Sequence, residues 1–370
     1  MRKCRVSITS IPIKRANSGG ALKKSLKLMA VVASLTLITG VAVAPASQAA
    51  KIKLCLALDT GGVDDHSFNA GAWAGAQAST VSNAEYLPAA SSADFAPNIK
   101  KFVDKGCELI VGVGYAISPE IVKSAKANPK IKYAVVDDAG QDCDANYNCT
   151  AVANVKGLTF KTDEAAFLAG YLSAGMTKTG KIATYGGIGY PTVTIFMDGF
   201  ARGAAYYNKQ KGTSVKVLGW DPANPKAGTM VGSFQDQAKA LTISKGFEQQ
   251  GADIILPVGG VLGAPYAAAS EKSKKSLTIW VDTDGYYSLS AGKSILLTTI
   301  VKEIGASIKS VAADVAAKKY TGKAYVGTLV NKGVSIAPFH DLSAKVPAKL
   351  KSEILKIKNN IIAGTVKVDA

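Results

Sequence analysis

The residues best equipped for chemistry fall in one run, Asp59-Thr60-Gly61-Gly62-Val63-Asp64-Asp65-His66-Ser67-Phe68-Asn69. Carboxylates, hydroxyls, an amide and an aromatic ring alternate there with glycines, a mixture suited to hydrogen bonding and stacking a small polar ligand. The run follows the apolar stretch 51–58 and precedes the helix-like Ala72-Trp73-Ala74-Gly75-Ala76. It therefore reads as a turn at the carboxyl end of a first parallel strand, where open α/β sheets bind ligands. Catalytic readings are weaker. His66 between Asp65 and Ser67 makes no triad, since sequence neighbours rarely converge in space, and no Gly-x-Ser-x-Gly turn occurs. Gly292-Lys293-Ser294 lacks the upstream glycine of a phosphate loop, Tyr287 taking its place, and Gly112-Val113-Gly114 lacks the third glycine of a dinucleotide fingerprint. Only His66 and His340 occur, no Cys/His spacing suggests zinc, and no compact carboxylate cluster suggests another metal. The expectation is a binding protein without cofactor, not an enzyme.

Further polar candidates close other apolar runs. Asp137 ends 132–137 with Asp138 as runner-up, Asp282 follows Leu277-Thr278-Ile279-Trp280-Val281, and Lys302 follows 295–300. Gly260, within Pro257-Val258-Gly259-Gly260-Val261-Leu262-Gly263, would let backbone approach a ligand closely. Each has a plainer reading: a helix cap or turn for Asp59 and Asp137, a flexible turn for Gly260, ordinary core for Phe68 and Phe234.

The elements that must position these residues repeat as strand, turn and helix. Strands are expected at 51–58, 84–88, 108–113, 132–137, 181–186, 215–219, 253–258, 277–281 and 294–299, with helices between them. That alternation predicts parallel sheets covered by helices on both faces. Both halves open with a Lys-Ile strand, Lys51-Ile52 and Lys181-Ile182, which argues for two doubly wound lobes with a cleft between them. Expected boundaries are 1–49 for an export signal, 50–158 with 285–325 for the first lobe, and 159–284 with 326–370 for the second. Hinge crossings are expected near 155–162, 282–294 and 320–330.

Residues 1–50 carry eight Lys or Arg and no acid, then an apolar run from Leu28 to Ile38 and small residues at 44–50. This is the pattern of a secretory signal peptide, cleaved after Ala49. The alternative is an uncleaved anchor, for which the run is barely long enough. No Cys stands directly after the apolar core and its small residues, so the usual acylation point of a bacterial lipoprotein is missing. The expected location is exported: periplasmic, surface-associated or secreted. Without those eight basic residues the formal charge of +17 falls to +9, carried by scattered lysines, and nucleic-acid binding is not expected. The lysines richest near 345–358 read as a solvated face or as a means of staying near an anionic envelope. Export places four cysteines where disulfides persist. Cys143 and Cys149 flank a short polar loop, and Cys55 and Cys107 would be neighbours if their strands lie side by side. Four cysteines allow three pairings, and the sequence leaves them open.

Asp59-Thr60-Gly61-Gly62 with Asp65-His66-Ser67-Phe68-Asn69, then Gly112-Val113-Gly114-Tyr115, Phe196-Met197-Asp198-Gly199-Phe200, Gly232-Ser233-Phe234-Gln235-Asp236, Val281-Asp282-Thr283-Asp284 and Val301-Lys302 occur in order. On these motifs the chain resembles the basic membrane protein family, the purine nucleoside receptor-like solute-binding proteins of ABC transporters. The resemblance implies a type I periplasmic-binding fold whose lobes close on a nucleoside, a purine one by preference, for delivery to a membrane permease. It assigns Phe68 and Phe234 to the two faces of the base and Asp282 and Lys302 to ribose hydroxyls. It makes Asp59, with Thr60 beside it, and Asp137 the candidates for polar edges of the base. One departure stands at the cleft rim, where Gly285 replaces the family's common Gln and is followed by Tyr286-Tyr287. A monomer is expected. The alternatives are a sugar receptor of the same architecture and, from a different class, a secreted enzyme acting on nucleosides.

Overall fold

The computed structural model describes residues 50–369 apart from Tyr147; the expected export signal lies outside the described residues. The first lobe starts with β1 (Ile52–Leu58), α1 (Phe68–Gln77), β2 (Ser82–Leu87), α2 (Phe95–Asp104), β3 (Leu109–Val113), α3 (Ser118–Ala127) and β4 (Lys132–Val136). A small hairpin, β5 (Gln141–Cys143) and β6 (Cys149–Ala151), then leads into β7 (Val155–Phe160). The second lobe follows with α4 (Thr162–Met176), β8 (Lys181–Gly186), α5 (Pro191–Lys211), β9 (Lys216–Leu218), α6 (Gln237–Gln249), β10 (Ile254–Val258), α7 (Ala264–Ser273), β11 (Leu277–Asp282), α8 (Gly285–Ser288) and β12 (Leu296–Lys302). The chain closes with α9 (Ile304–Ala316), β13 (Tyr325–Gly327), β14 (Val334–Ile336) and α10 (Ala348–Ile362).

Two six-stranded sheets result, ordered β13-β7-β4-β3-β1-β2 and β14-β12-β11-β10-β8-β9. The same winding is used twice, so β1, β3 and β4 correspond to β8, β10 and β11. All pairings are parallel except β12 with β14, which is antiparallel, as is the hairpin. Every residue of β3 and β10 is buried. Strands covered on both faces need apolar side chains on both, which is why they read in the sequence as unbroken runs rather than alternating ones.

The two lobes come from a discontinuous chain. Pairing of β12 with β11 puts 296–302 in the second sheet, whereas the sequence expectation gave 285–325 to the first lobe. The second crossing therefore falls near Glu303, between β12 and α9, and the expected hinge at 282–294 is corrected accordingly. The other crossings fall between β7 and α4 and in the 328–333 loop between β13 and β14. The mistaken boundary has a physical cause: Asp282-Thr283-Asp284-Gly285 is a turn sequence that ends a strand, but the chain returns to the same sheet once more.

Disulfides join Cys55 to Cys107 and Cys143 to Cys149. The first ties β1 to the entrance of its neighbour β3. The second closes the hairpin at the paired positions Cys143 and Cys149. Among the described residues, no helix is long and apolar enough to cross a membrane.

Candidate functional site

The carboxyl ends of both sheets face one cavity of about 230 Å³ between the lobes. This is slightly below the roughly 300–1,000 Å³ of typical small-molecule pockets. Asp59, Thr60, Phe68, Asp137, Phe234, Gly260, Asp282 and Lys302 all line it. They come from six separate chain segments, and it is the double winding that brings the strand ends together.

Asp137 and Asp282 occupy corresponding places, just beyond β4 and at the end of β11. Both adopt left-handed backbone, with φ of 68° and 66°. A non-glycine residue there is strained, and such strain concentrates where a side chain must be aimed at a ligand. Burial raises the Asp137 carboxyl above its usual range, although the Lys302 ammonium at 2.6 Å pulls it down. Asp282 is likewise pushed up, to about 6, first by burial and against the pull of Lys302. Its Oδ2 accepts from Ser67 Oγ at 2.8 Å. Its Oδ1 is buried with no hydrogen-bond partner and lies 3.7 Å from Lys302 Nζ. An unpaired acceptor of this kind costs about 1–3 kcal/mol, which a ligand donor would offset.

Lys302 is 4% exposed. Besides its carboxylates it faces the rings of Phe68, Phe196 and Phe160, with Nζ 5.0, 5.3 and 5.5 Å from their centres. Ammonium over ring faces is favourable, and more so when water is excluded. Phe68 therefore supports the cation as well as lining the cavity.

The first turn is organised from within. Asp59 Oδ1 accepts from Gly61 N–H at 2.9 Å and from Asn69 Nδ2 at 2.7 Å, while burial raises its carboxyl. Asn69 is left with a buried Oδ1 that has no partner. Asp65 takes the plainer role of a helix cap: it accepts from the N–H groups of Ser67, Asn69 and Ala70 at the start of α1. Burial raises it to about 7 in spite of those donors. Gly114, at φ 123°, closes this corner, since a Cβ there would lie 2.9 Å from Asp59 Oδ2.

Phe234 rests on the second lobe, where a Cβ on Gly187 would come within 2.5 Å of its ring. Tyr190 lies 6.1 Å from Phe234 and 5.4 Å from Tyr115, which belongs to the first lobe. The three rings form a rim across the cleft. Beside it, Gln235 Nε2 donates to the Thr60 carbonyl. Thr60 thus contributes its backbone to a contact between lobes, a use not foreseen from its hydroxyl. Gly260, at φ 56°, brings backbone to the cavity wall opposite Asp65.

Sequence reasoning overlooked Asn69, Tyr190 and the lysine-facing role of Phe196 as cavity features. Asn69 stood in the quoted motif, ten residues from Asp59, and a polar residue returning on the first turn of the following helix was the available signal. Tyr190 had only its position before Pro191 at a helix start.

Chemically, the cavity combines aromatic faces, acceptors that lack donors and a buried ammonium. Comparison with known proteins agrees in class. The sequence profile described as ABC transporter substrate-binding protein PnrA-like matches residues 52–370. A relative from Lactococcus lactis subsp. cremoris, named ABC transporter nucleoside-binding protein BmpA, is 29% identical over 342 residues, covering 86% of this chain and 89% of that protein. Basic membrane protein A1 of Borrelia garinii is 28% identical over 84% of this chain and 86% of its own length. Among solved structures, an ABC transporter solute-binding protein from Aeropyrum pernix superposes with a TM-score of 0.73 at 21% identity, over 85% of this chain and 92% of the other. One from Conexibacter woesei gives 0.64 at 20% identity, over 85% and 98%. With the match running from the first strand to the last residue, the chain belongs to the PnrA-like family of ABC transporter substrate-binding proteins.

Proposed function

We propose that the cavity binds a nucleoside, a purine nucleoside by preference, and that closure of the two lobes presents it to a membrane permease. Substrate-binding proteins of ABC transporters work outside the cytoplasm with a ligand and a permease, which fixes the setting. The ligand class rests chiefly on one observation: Asp282 Oδ1 is a buried acceptor without a donor, in a cavity also lined by Phe68 and Phe234. A ribose diol supplies donors to Asp282, and Lys302 can donate to a ribose oxygen. A base supplies a π face for the phenylalanines, where each stacking contact contributes about 1–3 kcal/mol. Asp59 and Asp137, with Asn69 beside them, offer acceptors for exocyclic and ring N–H groups of the base. The name of the Lactococcus relative points the same way.

The test is calorimetric titration of residues 50–370 with adenosine, guanosine, inosine, uridine and ribose, with the ligand recovered and checked for cleavage. Saturable binding of intact purine nucleosides, with ribose far weaker, is the expected result. Equal affinity for free ribose would replace the nucleoside with a sugar, and recovered free base would make the protein an enzyme.

A further inference from the structure

The outward face of α10 carries apolar side chains that nothing in the fold covers. Leu350, Ile354, Ile357 and Ile361 form its buried face. About a third of a turn round from that face, Leu355 is 58% exposed and Ile362 40% exposed. These two lie seven residues apart, so at 100° per residue they stand on one line along the helix, two turns from each other. Lys351 and Lys358 form a parallel line close on one side, and Lys349 and Lys356 another on the far side, beyond Ser352 and Asn359. The only acid of the helix, Glu353, is engaged by Lys211 Nζ at 2.5 Å and by the Tyr171 hydroxyl at 3.0 Å. The face is thus an apolar ridge between two cationic ridges with no free counter-charge on the helix.

We propose that this face of α10 docks the protein on an anionic lipid bilayer. Side chains in this arrangement enter the headgroup region ridge first, while the lysines reach sideways to lipid phosphates. Charge complementarity favours this occupant over a second copy of the chain, because two such faces would oppose lysine to lysine.

The chain from Ala50 onward suits the test, since it forms a compact unit of its own, and the basic, apolar N-terminal segment would bind vesicles by itself. Co-sedimentation is measured with vesicles of phosphatidylglycerol and phosphatidylcholine in equal parts, and with phosphatidylcholine alone. Binding to the anionic vesicles only, lost at high salt, is expected. Replacing Lys349, Lys351, Lys356 and Lys358 together by Gln should weaken it about a hundredfold or more, at roughly fivefold for each lysine near an anionic surface. Leu355→Ser with Ile362→Ser should weaken it about tenfold. Lys349, Leu355, Lys356 and Ile362 are exposed and Lys351 and Lys358 half-buried, Lys351 donating to Ser343 Oγ at 3.2 Å, so thermal unfolding and nucleoside titration serve as controls and should move little. No binding to anionic vesicles, equal binding to both kinds, or full retention in either variant would overturn the proposal. So would a dimer in analytical ultracentrifugation that Leu355→Ser dissolves, which would make the face a contact between copies.

Discussion

Asp282 concentrates the electrostatics of the cleft in one carboxyl group, and pH should therefore act on it in two opposite ways. Its pKa, held at about 6 by burial, lies above the unfolded value of 3.8. The empty folded protein accordingly holds a proton that the unfolded chain releases. The group's contribution to stability is complete below about pH 4 and is lost as pH rises through about 6. Asp65, raised to about 7, acts in the same direction over a slightly wider window, and Asp59 and Asp137 are raised as well. Ligand affinity should run the other way. An ionised Asp282 accepts two hydroxyl protons, whereas the neutral acid spends one oxygen on its own proton, so affinity should rise from pH 5 to pH 7. Titrations at several pH values, with denaturant midpoints of the empty protein alongside, check both slopes. Asp282→Asn should weaken nucleoside binding by about 10–100-fold, the loss of one or two hydrogen bonds to a charged group. It should also flatten the part of the affinity slope centred near pH 6, while the stability slope survives in reduced form because Asp65 remains. An affinity that is level with pH in the parent protein would separate Asp282 from the ligand.

Turns after strand ends set the aim of these side chains, and Gly187, following β8, is the one whose absence of a side chain is easiest to test. A methyl group there meets the Phe234 ring at 2.5 Å, so Gly187→Ala should displace the ring and cost binding about as much as Phe234→Ala, on the order of 1–3 kcal/mol. In the Phe234→Ala background the added methyl has no ring to strike, and Gly187→Ala should then be nearly silent. A double-mutant cycle reads this directly, and additive losses would mean that the glycine serves something else. The elements themselves were largely legible in the sequence, for a reason tied to burial. All nine expected strands are present within a few residues of their expected bounds: seven are largely buried and show as apolar runs, while the edge strands β2 and β9 are only partly buried. The strand β7 escaped notice, since Lys156, Gly157 and Thr159 dilute its pattern at the edge of the lobe crossing. Three-residue strands such as β13 and β14 carry too little pattern to be seen on their own, and β9, equally short, shows only through Val215, Val217 and Leu218 together. The same limit governs the cleft. Asp59, Asp137, Asp282 and Lys302 were visible as polar residues ending apolar runs. The pairing of Lys302 with Asp137, 165 residues away, and the orphaned oxygens of Asn69 and Asp282 depend on how the two windings face each other, which no local spacing encodes.

The two lobes touch at both edges of the cavity, and the two sets of contacts have different jobs. Near the hinge, the turn at His66 and Ser67 is held from the second lobe by Thr283 Oγ1 on the Ser67 carbonyl at 2.8 Å and by Ser288 Oγ on the His66 carbonyl at 2.7 Å. Trp280 Nε1 adds a longer bond to the His66 carbonyl, and the single Ser67 hydroxyl proton is shared between the Val281 carbonyl, 2.8 Å away, and Asp282 Oδ2. Several bonds hold this edge against a single one at the rim, so opening of the cleft is expected to break the rim first. The rim contact of Gln235 with the Thr60 carbonyl lies far along the chain from the crossings and exists only when the rims meet. A neutral hydrogen bond of this kind contributes about 0.5–1.5 kcal/mol. Gln235→Ala should thus shift the balance between closed and open forms by about two- to tenfold, and weaken apparent affinity by no more than the same factor. The loss should appear mainly as faster ligand release, because the open form, which admits the ligand, is unchanged. Stopped-flow measurement of association and dissociation tests the kinetic part. Small-angle scattering tests the geometric part: the variant should be more extended than its parent when empty and indistinguishable from it at saturating nucleoside. Slower association with unaltered release would place Gln235 on the entry path instead of on the latch, and an unchanged empty radius with unchanged kinetics would leave closure to the hinge-side bonds and to the ligand itself.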